Sequence, residues 1–393
     1  MSQATMPAHA AIKPSRDVRL DFFRGLALCF IFLNHIPENV VSWISNRNFG
    51  FSDATEIFVF VSGYSVILAF NSGYARVGWV LTAARIWRRV WQIYTAHIFL
   101  FMVFVANIAY VADRFNPVFA DEMGISHLLD APHILLLQAL LLKFKPVNMD
   151  VLPLYIVLLL VFPVLLPLLR RWPNMVLACS FALWAVVQVT HWNLPAYPSG
   201  GWYFNPMAWQ LLFVIGAWCA VKRQSAPWRR LPARLFVPLS VLYLIFALAV
   251  VATWEFPALE QYMPDWLQHL IYPVVKINLD TVRLLHFLAQ AYLIIHFVPM
   301  DAGFLRWRAA RPLIRCGSHS LEVFCFSVFL SFGGHFVLQE VNSGYTAQIM
   351  VSAAGIGLMI GLAELITLYR RYNSDLKGGM ALQVQPDLTG SRP

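Results

Sequence analysis

Long apolar runs alternate with short polar clusters along almost the whole chain. A helix needs about 17–25 apolar residues to cross the roughly 30 Å hydrocarbon core of a bilayer. Runs near or within that length fall at about 22–41, 54–70, 90–112, 152–169, 175–190, 207–221, 235–253, 282–298, 320–338 and 347–369. The pattern therefore predicts an all-α polytopic membrane protein with about ten transmembrane helices. A further apolar run at 133–142 is too short to cross and reads as an interfacial or re-entrant piece.

The charges decide the direction. With the N-terminus in the cytoplasm, 23 of the 29 Lys and Arg fall on the cytoplasmic side and six on the outer side. The acids distribute the opposite way, 7 inside and 13 outside, so the two sides carry +16 and −7. An eleventh crossing would destroy this alternation, so both termini are expected in the cytoplasm. The net charge of +9 is thus topological, with attraction to anionic lipid of the bilayer as a by-product, and it gives no support to nucleic-acid binding. Composition agrees: 59% of residues are hydrophobic and 12% charged, against about 25% charged in a soluble domain.

Residues 1–20 are polar and basic without a short cleavable apolar core, so the first span is expected to act as an uncleaved anchor. Residues 21–372 form the membrane domain, and 373–393 read as a disordered cytoplasmic tail. The five cysteines lie in or beside apolar spans with no CxxC pair, which predicts packing roles rather than disulfides or a metal site.

Ionisable residues within apolar spans mark a site by default, because hydrocarbon tolerates them only against protein or a wet cavity. The first span carries three. Arg24 and His35, eleven residues apart, project on nearly one face about 16 Å apart, and Asp21 lies within about 40° of the same stripe. Asp53 and Glu56 open the second span on the side of His35. Their Asp-x-x-Glu spacing suits either a helix cap or carboxylates that orient a histidine. The outer segment before the eighth span holds Lys276, Asn278, Asp280, Arg283 and His286, and an aromatic-rich outer loop leads into Asn205, Trp209 and Gln210. Deeper in the chain, Arg315 is the natural partner for Glu322.

Arg24, ten intervening residues and His35 resemble the signature of integral-membrane O-acyltransferases that move acyl groups from coenzyme A to extracytoplasmic sugars. Within that superfamily, RLDFFRG, NHIPENV, FGFSDATEIFVFVSGY, FNPMAWQLLFVIG, KINL and CGSHSLEVFCFS are similar to blocks of the OpgC-type succinyltransferases of osmoregulated periplasmic glucans. The resemblance implies an inner-membrane enzyme of a bacterium. Its donor would be succinyl-CoA or a related acyl-CoA, and its acceptor a periplasmic glucan hydroxyl, with no permanently bound cofactor or metal. His35 would serve as general base, aided by Glu56 or Asp53, while Arg24 would hold the donor's anionic end, with Asp21 beside it in the acyl-CoA-binding stripe. Asn34 and Ser62 are candidate donors to an oxyanion. Lys276, Asn278, Arg283 and His286 would meet the acyl carboxylate or the sugar, and Asn205, Trp209 and Gln210 the glucan. A secondary transporter using the same charges as a proton or substrate pathway is the rival reading.

Overall fold

The computed structural model describes residues 17–126 and 131–383. Most of the N-terminal segment and the end of the C-terminal tail therefore lie outside the described residues. Helices carry the fold: α1 (Val18–Asn34), α2 (Ala54–Arg114), α3 (Val151–Arg171), α4 (Pro173–Thr190), α5 (Pro206–Val221), α6 (Ala233–Glu255), α7 (Thr281–Phe297), α8 (Ala310–Ser318), α9 (Ser320–Glu340) and α10 (Tyr345–Gln383). No strand forms among the described residues, only an isolated bridge between Pro195 and Gly201.

Six helices, α2, α3, α4, α6, α9 and α10, are long and apolar enough to cross a membrane. α2 breaks at Gly78, whose φ of 76° lies in the left-handed region that glycine adopts without a Cβ clash. The break divides it into two arms, one covering the run at 54–70 and the other that at 90–112. The runs at 22–41, 207–221 and 282–298 fall on the shorter helices α1, α5 and α7. The run at 133–142 forms the nine-residue helix Pro132–Leu140.

Two boundaries differ from the pattern in the sequence. α1 stops at Asn34, because Pro37 has no N–H to extend the ladder, and the chain continues into a 3₁₀ turn at Val40–Ile44. His35 is thus the C-cap of the first helix rather than a residue inside a span. At the other end α10 runs on to Gln383, so 373–383, read as disordered, are helical. Extending an existing helix adds a hydrogen bond per residue without a new nucleus, which lets polar residues follow an apolar span.

Close backbone contacts fix the bundle. At the α1–α8 crossing, a Cβ on Gly25 would strike the Leu313 carbonyl and one on Gly317 the Asp21 carbonyl. At the α2–α5 crossing, Gly63 lies against the Phe213 backbone and Gly216 against the Phe60 carbonyl. Small residues let membrane helices approach this closely. α2 packs most extensively on α5 and α3, while α6 and α7 form a pair of their own. Arg315 pairs with Glu364 of α10, and Glu322 pairs with Arg370 at 2.8 Å. The expected Arg315–Glu322 pair is absent because the chain breaks at His319 between α8 and α9, so the two residues do not share one helical register.

Candidate active site

The alternation of helices brings the C-terminal ends of α1 and α6 to the same end of the bundle as the N-terminal ends of α2, α3 and α7. These ends and their loops enclose a cavity of about 750 Å³. Its wall includes His35 and Asn34 from the end of α1, Asp53 from the start of α2, Lys145 and Asp150 from the loop before α3, and Lys276 and Arg283 from the approach to α7. The sequence pattern assigns this end to the outer side.

The helix starts account for several of the polar residues. Asp53 accepts from the Thr55 N–H at 2.8 Å and the Glu56 carboxylate accepts from the Asp53 N–H at 2.9 Å, a complete capping box. Asn205 caps α5, accepting from the Met207 N–H, and Asp280 caps α7, accepting from the Thr281 N–H. These N–H groups are orphaned at every helix start and need an acceptor in a low-dielectric setting.

Asp53 and Glu56 also belong to a closed ionic cluster. Lys276 Nζ lies 2.5 Å and Arg283 Nη2 3.2 Å from Asp53 Oδ2, and Arg283 donates to Glu56 Oε1 from Nε at 2.9 Å and Nη2 at 2.6 Å. Burial opposes ionisation of Asp53, yet Lys276 and Arg283 outweigh it and hold this carboxyl well below the usual carboxylate range. Two cations and two carboxylates thus neutralise one another. Neither carboxylate hydrogen-bonds His35, although Asp53 and Lys276 lie within electrostatic reach of its ring.

His35 is half-buried. Its Nδ1 is enclosed without a hydrogen-bond partner among the described residues, while the residue itself lines the cavity. Beside it, the Asn34 carbonyl oxygen accepts from Ser45 Oγ at 2.8 Å, which turns the amide NH₂ to other partners.

Other sequence candidates fall elsewhere. Arg24 donates to Ser65 Oγ at 2.6 Å and to the Gly317 carbonyl at 3.4 Å, with Asp21 at 3.8 Å, tying α1 to α2 and α8. Neither Asp21 nor Arg24 lines the cavity. Ser62 borders a small internal void beside Tyr155. Asn205, Asn278, Trp209, Gln210 and His286 sit behind the wall. Asn205 Nδ2 donates to Asn278 Oδ1 at 2.9 Å, and Trp209 Nε1 donates to the Ile277 carbonyl at 3.1 Å, so these residues buttress the loop that presents Lys276. Gln210 is bound to Ser180, and His286 Nδ1 meets Ser52 Oγ at 2.7 Å where the absent side chain of Gly50 makes room for its ring.

Sequence reasoning missed the segment from Lys143 to Asp150. Burial lifts the Asp150 carboxyl to about 6 against the opposing pull of Lys145 and Lys276. A signal for this segment exists. Of the six Lys and Arg assigned to the outer side, Arg47, Lys143, Lys145, Lys276 and Arg283 line this cavity, and Arg114 alone does not.

At the opposite end, a second cavity of about 440 Å³ opens between α1, α2, α5 and α7. Its lining is mainly apolar, including Phe60, Tyr64 and Phe287, and also holds Arg223, Arg229 and the Arg19–Asp17 pair, 3.0 Å apart. It reaches Gln290, whose Oε1 is 3.5 Å from Ser52 Oγ, and Ser52 lines the outer cavity. A thin polar partition therefore separates the two.

A family model described as OpgC protein matches residues 16–371, nearly the whole chain. No match is found among curated proteins or among solved structures.

Proposed function

The chain belongs to the OpgC family, whose role is acyl transfer in glucan modification, and from that premise we propose that it moves a succinyl group from coenzyme A to a hydroxyl of a periplasmic glucan, in the outer cavity beside His35. The observation that supports this reading is the placement of His35: a half-buried imidazole on the wall of a polar cavity, at the end of a helix clamped by the family's Arg24. In the proposed step His35 Nε2 takes the proton of the acceptor hydroxyl as its oxygen attacks the thioester carbon. The carbon–sulfur bond breaks, and coenzyme A leaves as the thiolate and is protonated by the imidazolium. The Asn34 amide N–H is proposed to donate to the oxygen that gains charge, a role supported by its place in the cavity lining beside His35.

The proposed topology has ten crossings in the bacterial inner membrane with both termini in the cytoplasm, and the alternation of basic clusters supports it. The donor is made in the cytoplasm, so its phosphates are proposed to meet Arg223 and Arg229, Arg19 being paired with Asp17, while the pantetheine arm enters the second cavity toward the Ser52–Gln290 partition. Arg24 then acts by holding α1 in place.

The test is transfer by purified protein from labelled succinyl-CoA to a periplasmic glucan. His35→Ala is expected to lower the rate about 10²–10⁴-fold with little change in unfolding temperature, because among the described residues the buried Nδ1 has no hydrogen-bond partner to lose. Unchanged transfer by His35→Ala would remove His35 from the chemistry.

A further inference from the structure

The cations of the outer cavity are not equivalent. The lining holds five of them, with three carboxylates, Asp53, Asp150 and Glu255. Lys276 and Arg283 are consumed by the cluster with Asp53 and Glu56 and have no charge to spare for a ligand. Arg47 and Lys143 are exposed to solvent, where a single cation attracts an anion weakly. Lys145 differs from all four: it is recessed into the wall, and among the described residues no carboxylate lies within ion-pair distance of it.

Its position is fixed by its neighbours. Lys145 Nζ sits 3.8 Å from the centroid of the buried Trp202 ring and donates to the Leu142 carbonyl at 3.1 Å. Phe144, one residue earlier, is buried against Phe101, and the Lys143 carbonyl accepts from the Tyr197 N–H at 3.0 Å, so the segment leading to Lys145 is anchored at two points. An ammonium has three N–H donors, of which the protein uses one. Asp150 of the same cavity acts on this ammonium from beyond ion-pair distance, so the charge is only partly compensated, and a ligand anion in direct contact would relieve the remaining cost of its burial.

We propose that Lys145 binds the free carboxylate of a dicarboxylic acyl group and thereby sets a preference for succinyl-type over neutral acyl donors. The inference rests on the acyltransferase reading above. It also reassigns this role from Lys276 and Arg283, which act instead as a structural cluster.

The experiment compares succinyl-CoA with butyryl-CoA, a donor of equal chain length without the carboxylate, for the wild-type protein, Lys145→Met and Lys145→Arg. In Lys145→Met, kcat/KM for succinyl transfer is expected to fall about 10–100-fold, with KM carrying the loss. Butyryl transfer is expected to stay within about twofold. Lys145→Arg, which keeps the charge, is expected to recover most of the succinyl preference. An equal loss with both donors would show a merely structural lysine and overturn the proposal, as would unchanged succinyl transfer in Lys145→Met. A wild-type protein that uses both donors equally well would leave the acyltransferase reading intact and refute the role of Lys145. A wild-type protein that transfers neither would overturn both.

Discussion

Charge in the outer cavity takes two forms, spent and available, and only neighbours distinguish them. Asp53, Glu56, Lys276 and Arg283 close on one another, while Lys145 faces a tryptophan and a backbone carbonyl. Burial brings the Lys145 ammonium down from its ordinary value to about 8, with Asp150 opposing. Lys145 is therefore charged below that pH and neutral above it. The groups that share its cavity include His35, Asp53, Asp150, Lys143, Lys276 and Tyr197, and a change in any of them that affects chemistry alone acts on both donors alike. The ratio of succinyl to butyryl transfer is accordingly expected to fall from about pH 7 toward the Lys145→Met ratio by about pH 10, while ionisation of Asp150 near pH 6 sets a separate, earlier decline. Initial rates with both donors across this range check it, and a flat ratio would contradict it. At this scale the sequence was legible in part. Asp53 and Asn205 stood out because polar residues beside apolar spans are rare, but helix caps stand out for the same reason, and spacing cannot tell a cap from a ligand. Lys145 was hidden because nothing local in Lys-Phe-Lys-Pro distinguishes a cavity wall from an ordinary basic loop.

Among the elements, α1 does the positioning. An eleven-residue interval places Arg24 and His35 on one face, yet the face alone does not say what lies opposite. Near Arg24 the neighbours are Ser65 and the Gly317 carbonyl, and near His35 there is open cavity. The stripe read as a single donor track is thus a clamp at one end and a cavity wall at the other. The clamp depends on the α1–α8 crossing, where Gly25 and Gly317 bring the backbones together. Gly25→Leu is expected to force these helices apart at a cost of about 1–3 kcal/mol or more, lowering the unfolding temperature in detergent and reducing transfer by displacing His35. An unchanged unfolding temperature and rate would show that this crossing does not position the site. The apolar periodicity made the helices readable, and the Gly78 break and the stop before Pro37 came from residues whose effect on the backbone is local.

Across the whole molecule, two cavities at opposite ends of the bundle approach each other at Ser52 and Gln290. The charge asymmetry used to assign the topology also held a signal for one of them that the sequence reading left unused, since five of the six basic residues assigned to the outer side are gathered at this cavity. What the sequence could not supply was the pairing of distant segments, such as Lys276 and Arg283 with Asp53, which depends on how α6 and α7 pack on the rest. The account holds that an acyl group supplied on one side of the membrane is esterified to a glucan on the other. The most direct measurement seals labelled succinyl-CoA inside proteoliposomes carrying the oriented protein, with its cytoplasmic side inward, and places the glucan outside. The account predicts succinyl ester on the external glucan with the wild-type protein and none with His35→Ala; glucan that crosses the bilayer unmodified would identify a transporter instead.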